Sequence, residues 1–385
     1  MSSMKTQDLS KSADIVIIGG GVIGLSIARE LALRGVSRVT LIERGEFGAE
    51  ASCAAGGILA PQVEADGASE FFRFACTSRD KYSDFARALH EETGVDVELD
   101  TTGTLYLGFT ADDENELRRR HQWQTTAALR VEWLTGDEAR RLEPNISPRV
   151  RCALRFPNDY QVENRRLIDA LVKANQKLDV NLISNCEVRA LRIEGGKLSA
   201  VETSAGLVSA RVAVLAAGAW SSQISLTGLQ RSPISIEPVR GQILCFQPQP
   251  QIARHVIYTP RGYLVPRRDG RLLAGSTSEH AGFDKRVTAG GIESVTSIAI
   301  EIAPQLKHEV LKDSWAGFRP RASDDLPVLG RSEEVDGFVY ATGHYRNGIL
   351  LAPITAEVIA DLIVDGVSST FLERFSPNRF CVAHA

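Results

Sequence analysis

The sequence predicts an α/β fold in two parts: a parallel-sheet domain opening on a strand–turn–helix–strand unit, and a second domain on a mixed, antiparallel sheet. Three observations predict it. Residues 14–18 are a short apolar run that passes straight into Gly19-Gly20-Gly21-Val22-Ile23-Gly24. Two later apolar runs, 211–216 and 337–341, also lead into glycine-bearing turns. Between them lie segments in which apolar and polar residues alternate with period two, the pattern of strands with one buried face.

Taken in order, 14–18 is apolar throughout after Asp14, as a strand covered on both faces must be. A helix follows over 25–34 and ends at Gly35, whose freedom at positive φ suits a helix C-terminus. Residues 38–42 form a second buried strand closing on Glu43. Such a βαβ unit implies parallel strands and a right-handed crossover, the Rossmann-like arrangement. Segments 103–109 and 239–246 alternate in the manner of antiparallel strands. Residues 263–266 and 271–275 read as a hairpin around Arg268-Asp269-Gly270, where Asp-Gly is a strong turn signal. Strands 211–216 and 337–341 return to the first sheet, and an amphipathic helix follows over 347–364. The first domain is therefore discontinuous (1–97, 150–231 and 317–385), with the second comprising 98–149 and 232–316. There is no internal repeat and no low-complexity linker.

Composition sets the outer limits. A chain of 385 residues with 43% hydrophobic and 24% charged residues has material for two ordinary domain cores. A net charge of -4 gives no reason to expect nucleic acid or an anionic membrane as partner. Cys53, Cys76, Cys152, Cys186, Cys245 and Cys381 are scattered without a CxxC pair, so buried reduced thiols are expected rather than a metal or redox site. Residues 1–12 are polar and lack a signal-peptide core. No uncharged apolar run reaches the roughly 18 residues of a membrane span. A cytoplasmic protein without metal is the expectation.

The chemistry begins at Gly19-x-Gly21-x-x-Gly24. Glycines there permit a tight turn and let the backbone approach a pyrophosphate at the helix N-terminus. Glu43 stands 19 residues after Gly24, where a carboxylate binds both ribose hydroxyls and disfavours a 2′-phosphate. The structural alternative is a helix-packing turn beside a solvated Glu. Next comes a run of small residues, Ala51-Ser52-Cys53-Ala54-Ala55-Gly56-Gly57 after Glu50. It lets the backbone lie against a phosphate or an isoalloxazine ring, with Ser52 as a hydrogen-bond donor; the alternative is a surface loop. Together with the segment 214–220 and its Gly218, this run favours FAD over NAD. Near the C-terminus, Trp315-Ala316-Gly317-Phe318-Arg319-Pro320 precedes Gly343-His344-Tyr345-Arg346-Asn347-Gly348-Ile349-Leu350. The helix starting there can aim its dipole at the flavin pyrimidine edge. Arg319 and Arg346 lie at strand ends, where a guanidinium can grip a carboxylate with two parallel bonds. Either can equally cap a carbonyl or stand in solvent.

On these segments, and over nearly all of its length to Leu362, the chain resembles the glycine oxidase (ThiO) branch of the D-amino-acid oxidase family of flavoproteins. The narrower parts of the likeness are 156–162 (FPNDYQV), 262–267 (GYLVPR), 315–320 (WAGFRP) and 344–353. The resemblance implies an FAD domain of the GR2/DAO type, an antiparallel substrate domain, non-covalent FAD and a homo-oligomer, usually a tetramer. It implies that Arg319 binds the substrate carboxylate, that Tyr263 helps hold it, and that Arg346 borders it. It also places the backbone of His344, Tyr345, Arg346, Asn347, Gly348, Ile349 and Leu350 at the flavin. Val22, Ile23, Glu43, Arg44, Glu50, Ala51, Ala55, Gly56, Gly57 and Val188 match the family's FAD contacts. Residues 319–350 hold no cysteine, whereas relatives such as monomeric sarcosine oxidase carry a covalent attachment there.

The implied reaction is hydride transfer from the Cα of glycine or another small amino acid to the flavin. Hydrolysis of the imine then gives a 2-oxo acid such as glyoxylate and ammonia, and O2 becomes H2O2, with a place in thiamine thiazole supply. No side chain is needed as acid or base, because a neutral amine held over the ring mainly requires positioning. Two departures from the family touch the substrate. Ser278 stands where an apolar residue usually limits the pocket, which suggests a roomier site, and Arg321 and Asp325 replace small residues. Two other readings are carried forward: a D-amino-acid or glycine dehydrogenase passing electrons to a quinone or carrier, and a non-catalytic flavin-binding subunit.

Overall fold

The run Ala13–Ile18 lies at the heart of a nine-stranded sheet, its residues nearly all buried. It is parallel to Val39–Ile42 on one side and Gly206–Leu215 on the other. Asn181–Ile183 and Phe338–Thr342 extend the parallel order outward. The computed structural model describes residues 13–229 and 234–380, so the polar segment 1–12 and Cys381 lie outside the described residues. Alternate side chains of the central strand enter two cores. Ile15 and Ile17 meet the helices Val22–Leu33, Glu70–Thr93, Asn164–Lys177 and Gly348–Ala360, while Val16 and Ile18 meet the layer containing Val188–Glu194 and Lys197–Thr203. Burial on both faces is why this strand reads as an unbroken apolar run.

The first helix begins at Val22, three residues before the predicted start, and Gly35 follows its end at φ +83° as expected of a C-terminal glycine. The last helix differs from expectation. Gly348–Ala360 is buried on nearly every side rather than amphipathic. It is packed between the sheet and the helices Val22–Leu33 and Glu70–Thr93, and a helix covered all round must be apolar all round.

A second sheet of eight strands runs in the order Leu311–Ala322, Ile236–Phe246, Leu272–Gly275, Gly262–Pro266, Val256–Thr259, Thr104–Gly108, Cys152–Phe156, Glu132–Thr135. All its pairings are antiparallel except Thr104–Gly108 with Val256–Thr259. The hairpin over Asp269-Gly270 is present, with Gly270 at φ +85°. Two domain limits need correction. The sequence places the return to the first domain at 150, but Cys152–Phe156 belongs to this second sheet. Leu311–Ala322 is one strand across the expected break at 316/317, paired along its length with Ile236–Phe246. A short apolar run does not name its sheet; the strands it pairs with decide it.

No helix among the described residues is long and apolar enough to cross a membrane. The five cysteines described are free thiols, with Cys53 and Cys76 half-buried rather than buried as expected. Burial raises the Cys76 thiol to about 12, which keeps it protonated and inert.

Candidate functional site

One cleft between the two sheets is lined by residues from both. Its first end is built from backbone. The turn after Ala13–Ile18 carries Gly19 at φ +108°, and a Cβ there would collide with the Ala216 carbonyl. A Cβ on Gly24 would fall inside contact distance of the Gly19 carbonyl oxygen. The turn therefore closes only with glycine, leaving a bare backbone cradle at the start of Val22–Leu33. Gly19, Gly21, Val22 and Ile23 line the cleft; Gly24 packs helix against strand instead.

Glu43 sits at the end of Val39–Ile42 and accepts from the backbone N–H of Gly20 at 2.7 Å and of Gly45 at 2.9 Å. Each carboxylate oxygen keeps acceptor capacity for a ribose hydroxyl. Ser52 plays a different part from the donor expected of it: its Oγ accepts from the Val22 N–H at 2.9 Å, fixing the first turn of the helix. The small-residue run is not a loose loop but a short helix, Ala51–Ala54. It packs so closely on Leu311–Ala322 that a Cβ on Gly317 would stand 2.5 Å from that of Ala54. Gly57 follows at φ +67°. Arg44 and Glu50 form an ion pair of 3.2 Å at the rim, with the Arg44 guanidinium 3.5 Å over the Trp220 ring. Val188, Gly218, Ala55 and Gly56 complete this part of the lining. Glycines that exclude side chains, an acid at the strand end and a helix N-terminus fit an FAD, whose ribose would meet Glu43 and whose pyrophosphate would meet the glycine turn.

The second end is built from side chains. Arg319, on the strand Leu311–Ala322, lies across Gly241 of the neighbouring strand, where any Cβ would overlap the guanidinium. Its Nη1 donates to the Thr277 carbonyl at 3.1 Å and its Nη2 to Ser276 Oγ at 2.6 Å. A guanidinium has five N–H donors, so donors remain for a ligand in the cleft. Tyr263 and Tyr258 present buried rings 5.5 Å apart. Tyr345 is held at φ +46°, its N–H donating to the Pro320 carbonyl at 2.8 Å, which ties 344–347 to the arginine strand. Arg346, Asn347, Gly348 and Ile349 then face the cleft at the start of Gly348–Ala360, a helix with no side-chain cap. Anionic groups are favoured at such an end.

Several expected residues stand elsewhere. Leu350 does not line the cleft; it is buried in the core with its carbonyl accepting from Ser78 Oγ at 2.6 Å. Ser278 is exposed and away from the cleft, because the strand Leu272–Gly275 ends before it; Ser276 is the serine that lines the site. Arg321 and Asp325 pair with each other at 2.6 Å outside the cleft. His344 does line the cleft as expected, but its ring is buried against Thr355 Oγ1 at 3.1 Å, and burial holds it down to about 3, so it is neutral.

Other lining residues gave no signal in sequence: Glu64, Tyr258, Ser276 and Gly241. Arg267, the last residue of the 262–267 motif, is buried and ties the end of Gly262–Pro266 to the segments around Gly56 and Val162. It donates to the carbonyls of Val162 at 2.8 Å and Gly56 at 2.9 Å. Among the described residues no group of three His, Cys, Asp or Glu could hold a metal.

Comparison with known proteins finds relatives over nearly the whole chain. The family model described as FAD dependent oxidoreductase matches residues 14–362. The bifunctional protein ThiO/ThiG of Synechocystis is 36% identical over 97% of this chain, which spans only 55% of that relative's length. A crystal structure of glycine oxidase from Geobacillus kaustophilus superposes with a TM-score of 0.91 at 34% identity, covering 96% of this chain and 99% of that one. The hydrogen cyanide synthase subunit HcnC of Pseudomonas aeruginosa is 32% identical over 98% of this chain and 100% of its own.

Proposed function

This chain belongs to the FAD-dependent oxidoreductases, and from that premise we propose that it oxidises glycine or another small amino acid at the Cα–N bond, with oxygen as acceptor. The observation that carries the reading is Arg319. Its guanidinium is seated over Gly241, steadied by Ser276 and Thr277, and faces the same cleft as the glycine cradle. Non-covalently bound FAD would supply the hydride acceptor. The chain's own residues do the rest: Arg319 grips the carboxylate, Tyr263 covers it, and the two fix the Cα. Such fixing supplies much of the rate, since a well-oriented pair can have an effective molarity of about 10⁵ M or more. The reaction needs the amine uncharged and asks for no acid or base from the chain; His344, buried and neutral, is given no part in it.

Similarity to a hydrogen cyanide synthase subunit supports a second reading, in which the electrons go to an acceptor other than oxygen. The test is a panel of amino acids and simple amines mixed anaerobically with the yellow protein, followed by air. Glycine and small amino acids are expected to bleach the flavin, and air without added acceptor to restore it with release of peroxide. Bleaching without peroxide selects the second reading. No bleaching by any of the panel overturns both.

A further inference from the structure

We infer that Glu64 sets the charge selectivity of the substrate end: by pairing with Arg346 it cancels the second guanidinium of the cleft, so the site takes substrates with one carboxylate and turns away those with a second anionic group. The inference rests on the reading that Arg319 receives the substrate carboxylate.

Two arginines line this end, Arg319 and Arg346. Alone they would favour a ligand with two negative charges. Glu64 changes the balance. Its Oε1 lies 3.4 Å from Arg346 Nη2 and accepts from the Tyr258 hydroxyl at 3.1 Å. The nearby Glu64 charge is the largest influence on the Arg346 guanidinium and raises it further above its ordinary range. What remains facing the ligand is one uncompensated cation, Arg319, and a pair whose sum is zero. A second carboxylate entering beside Glu64 meets a like charge, and such juxtapositions select strongly against the wrong partner.

The chain invests structure in holding Glu64 where it is. Glu64 ends the short helix Pro61–Glu64. The N–H groups of Gln62 and Val63 donate to the two oxygens of Asp159, at 3.3 Å and 3.0 Å. Asp159 comes from the 156–162 motif and is fully buried beside Arg79, at 3.7 Å. Arg79 donates to Gln62 Oε1 at 3.1 Å, and Gln124 Nε2 to the Gln62 carbonyl at 2.9 Å. Burial pushes the Asp159 carboxyl up to about 7, a sign of how far it is removed from water. A buried polar network of this kind is unfavourable unless fully satisfied, and it fixes one geometry when it is. The residue it carries into the cleft is Glu64.

The test compares ligands of one shape and two charges on the FAD-loaded protein. D-Aspartate and D-asparagine are compared as substrates by kcat/KM, and malonate and malonamate as ligands by their perturbation of the flavin spectrum. Wild type should prefer the member of each pair with a single carboxylate. Glu64→Gln should shift both ratios toward the dianionic member by about tenfold, and adding Arg346→Ala should cancel that gain. Ratios unchanged within about twofold in Glu64→Gln, with FAD retained, would overturn the inference. Should Glu64→Gln lose FAD, Arg346→Ala alone leaves Glu64 unopposed and should move the ratios the other way; no movement there overturns it equally. If no amino acid bleaches the flavin yet the malonate ratio shifts, the proposed reaction fails and the charge selection stands. If the ratio shifts but Arg319→Ala binds malonamate as tightly as wild type, only the role of Arg319 fails.

Discussion

The two ends of the cleft are made in opposite ways. At the dinucleotide end the working surface is backbone, exposed because Gly19, Gly21, Gly56 and Gly57 carry no side chain. The strand, turn, helix and acid that form it lie within some 30 residues. At the substrate end the surface is side chain, gathered from distant parts of the chain: Glu64, Tyr258, Tyr263, Ser276, Arg319 and Arg346. Glu64 and Arg346 are 282 residues apart in sequence. The difference teaches that damage to the first end should cost the protein its cofactor, whereas damage to the second should leave an intact flavoprotein with altered chemistry.

The harshest test of that contrast is Gly24→Ala. The added methyl has no room beside the Gly19 carbonyl, and overpacking of this sort costs about 1–3 kcal/mol or more. Loss of bound flavin, read from the ratio of flavin to protein absorbance, is expected. Full occupancy would mean that the turn can relax, and the contrast would weaken.

Next is Arg319→Ala, expected to lower kcat/KM for glycine at least a hundredfold, since unpairing a desolvated charge costs about 3–5 kcal/mol. A plain amine should lose far less, and FAD content should not change. Gly241→Ala should act in the same direction by displacing the guanidinium that lies over it. Flavin loss in either variant would erase the distinction between the ends.

Glu43→Ala removes the partner of the Gly20 and Gly45 N–H groups and the carboxylate proposed to bind the FAD ribose. A hydrogen bond to a charged group contributes about 1.5–3 kcal/mol, so FAD affinity should fall at least tenfold in a titration. Turnover at saturating FAD should be preserved; if it falls instead, Glu43 reaches beyond the cofactor.

The smallest effect belongs to Ser278→Met. Because Ser278 is exposed outside the cleft, the ratio of kcat/KM for D-serine to glycine should stay within about twofold of wild type. A clear narrowing toward glycine would bring Ser278 back to the substrate and move the boundary of the second end.

The sequence by itself determined what is local. The apolar run 15–18, the glycine spacing, Gly35, Glu43 and the Asp269-Gly270 hairpin are legible because each answers a backbone requirement within a few residues. The resemblance added Tyr263, Arg319 and Arg346, all of which line the cleft. Where reading failed, the deciding contact was distant. The pattern of 347–364 could not say that helices would cover Gly348–Ala360 on the side away from the sheet. The sequence places the end of the strand at Gly275, where it lies, but could not say that Ser276 would stand in the site and Ser278 outside. Nothing near Gly241 foretells an arginine laid over it, and nothing near Glu64 foretells Arg346. Those pairings exist only once the two sheets have closed on each other, since a side chain's neighbours across a cleft are set by packing and not by its own stretch of chain.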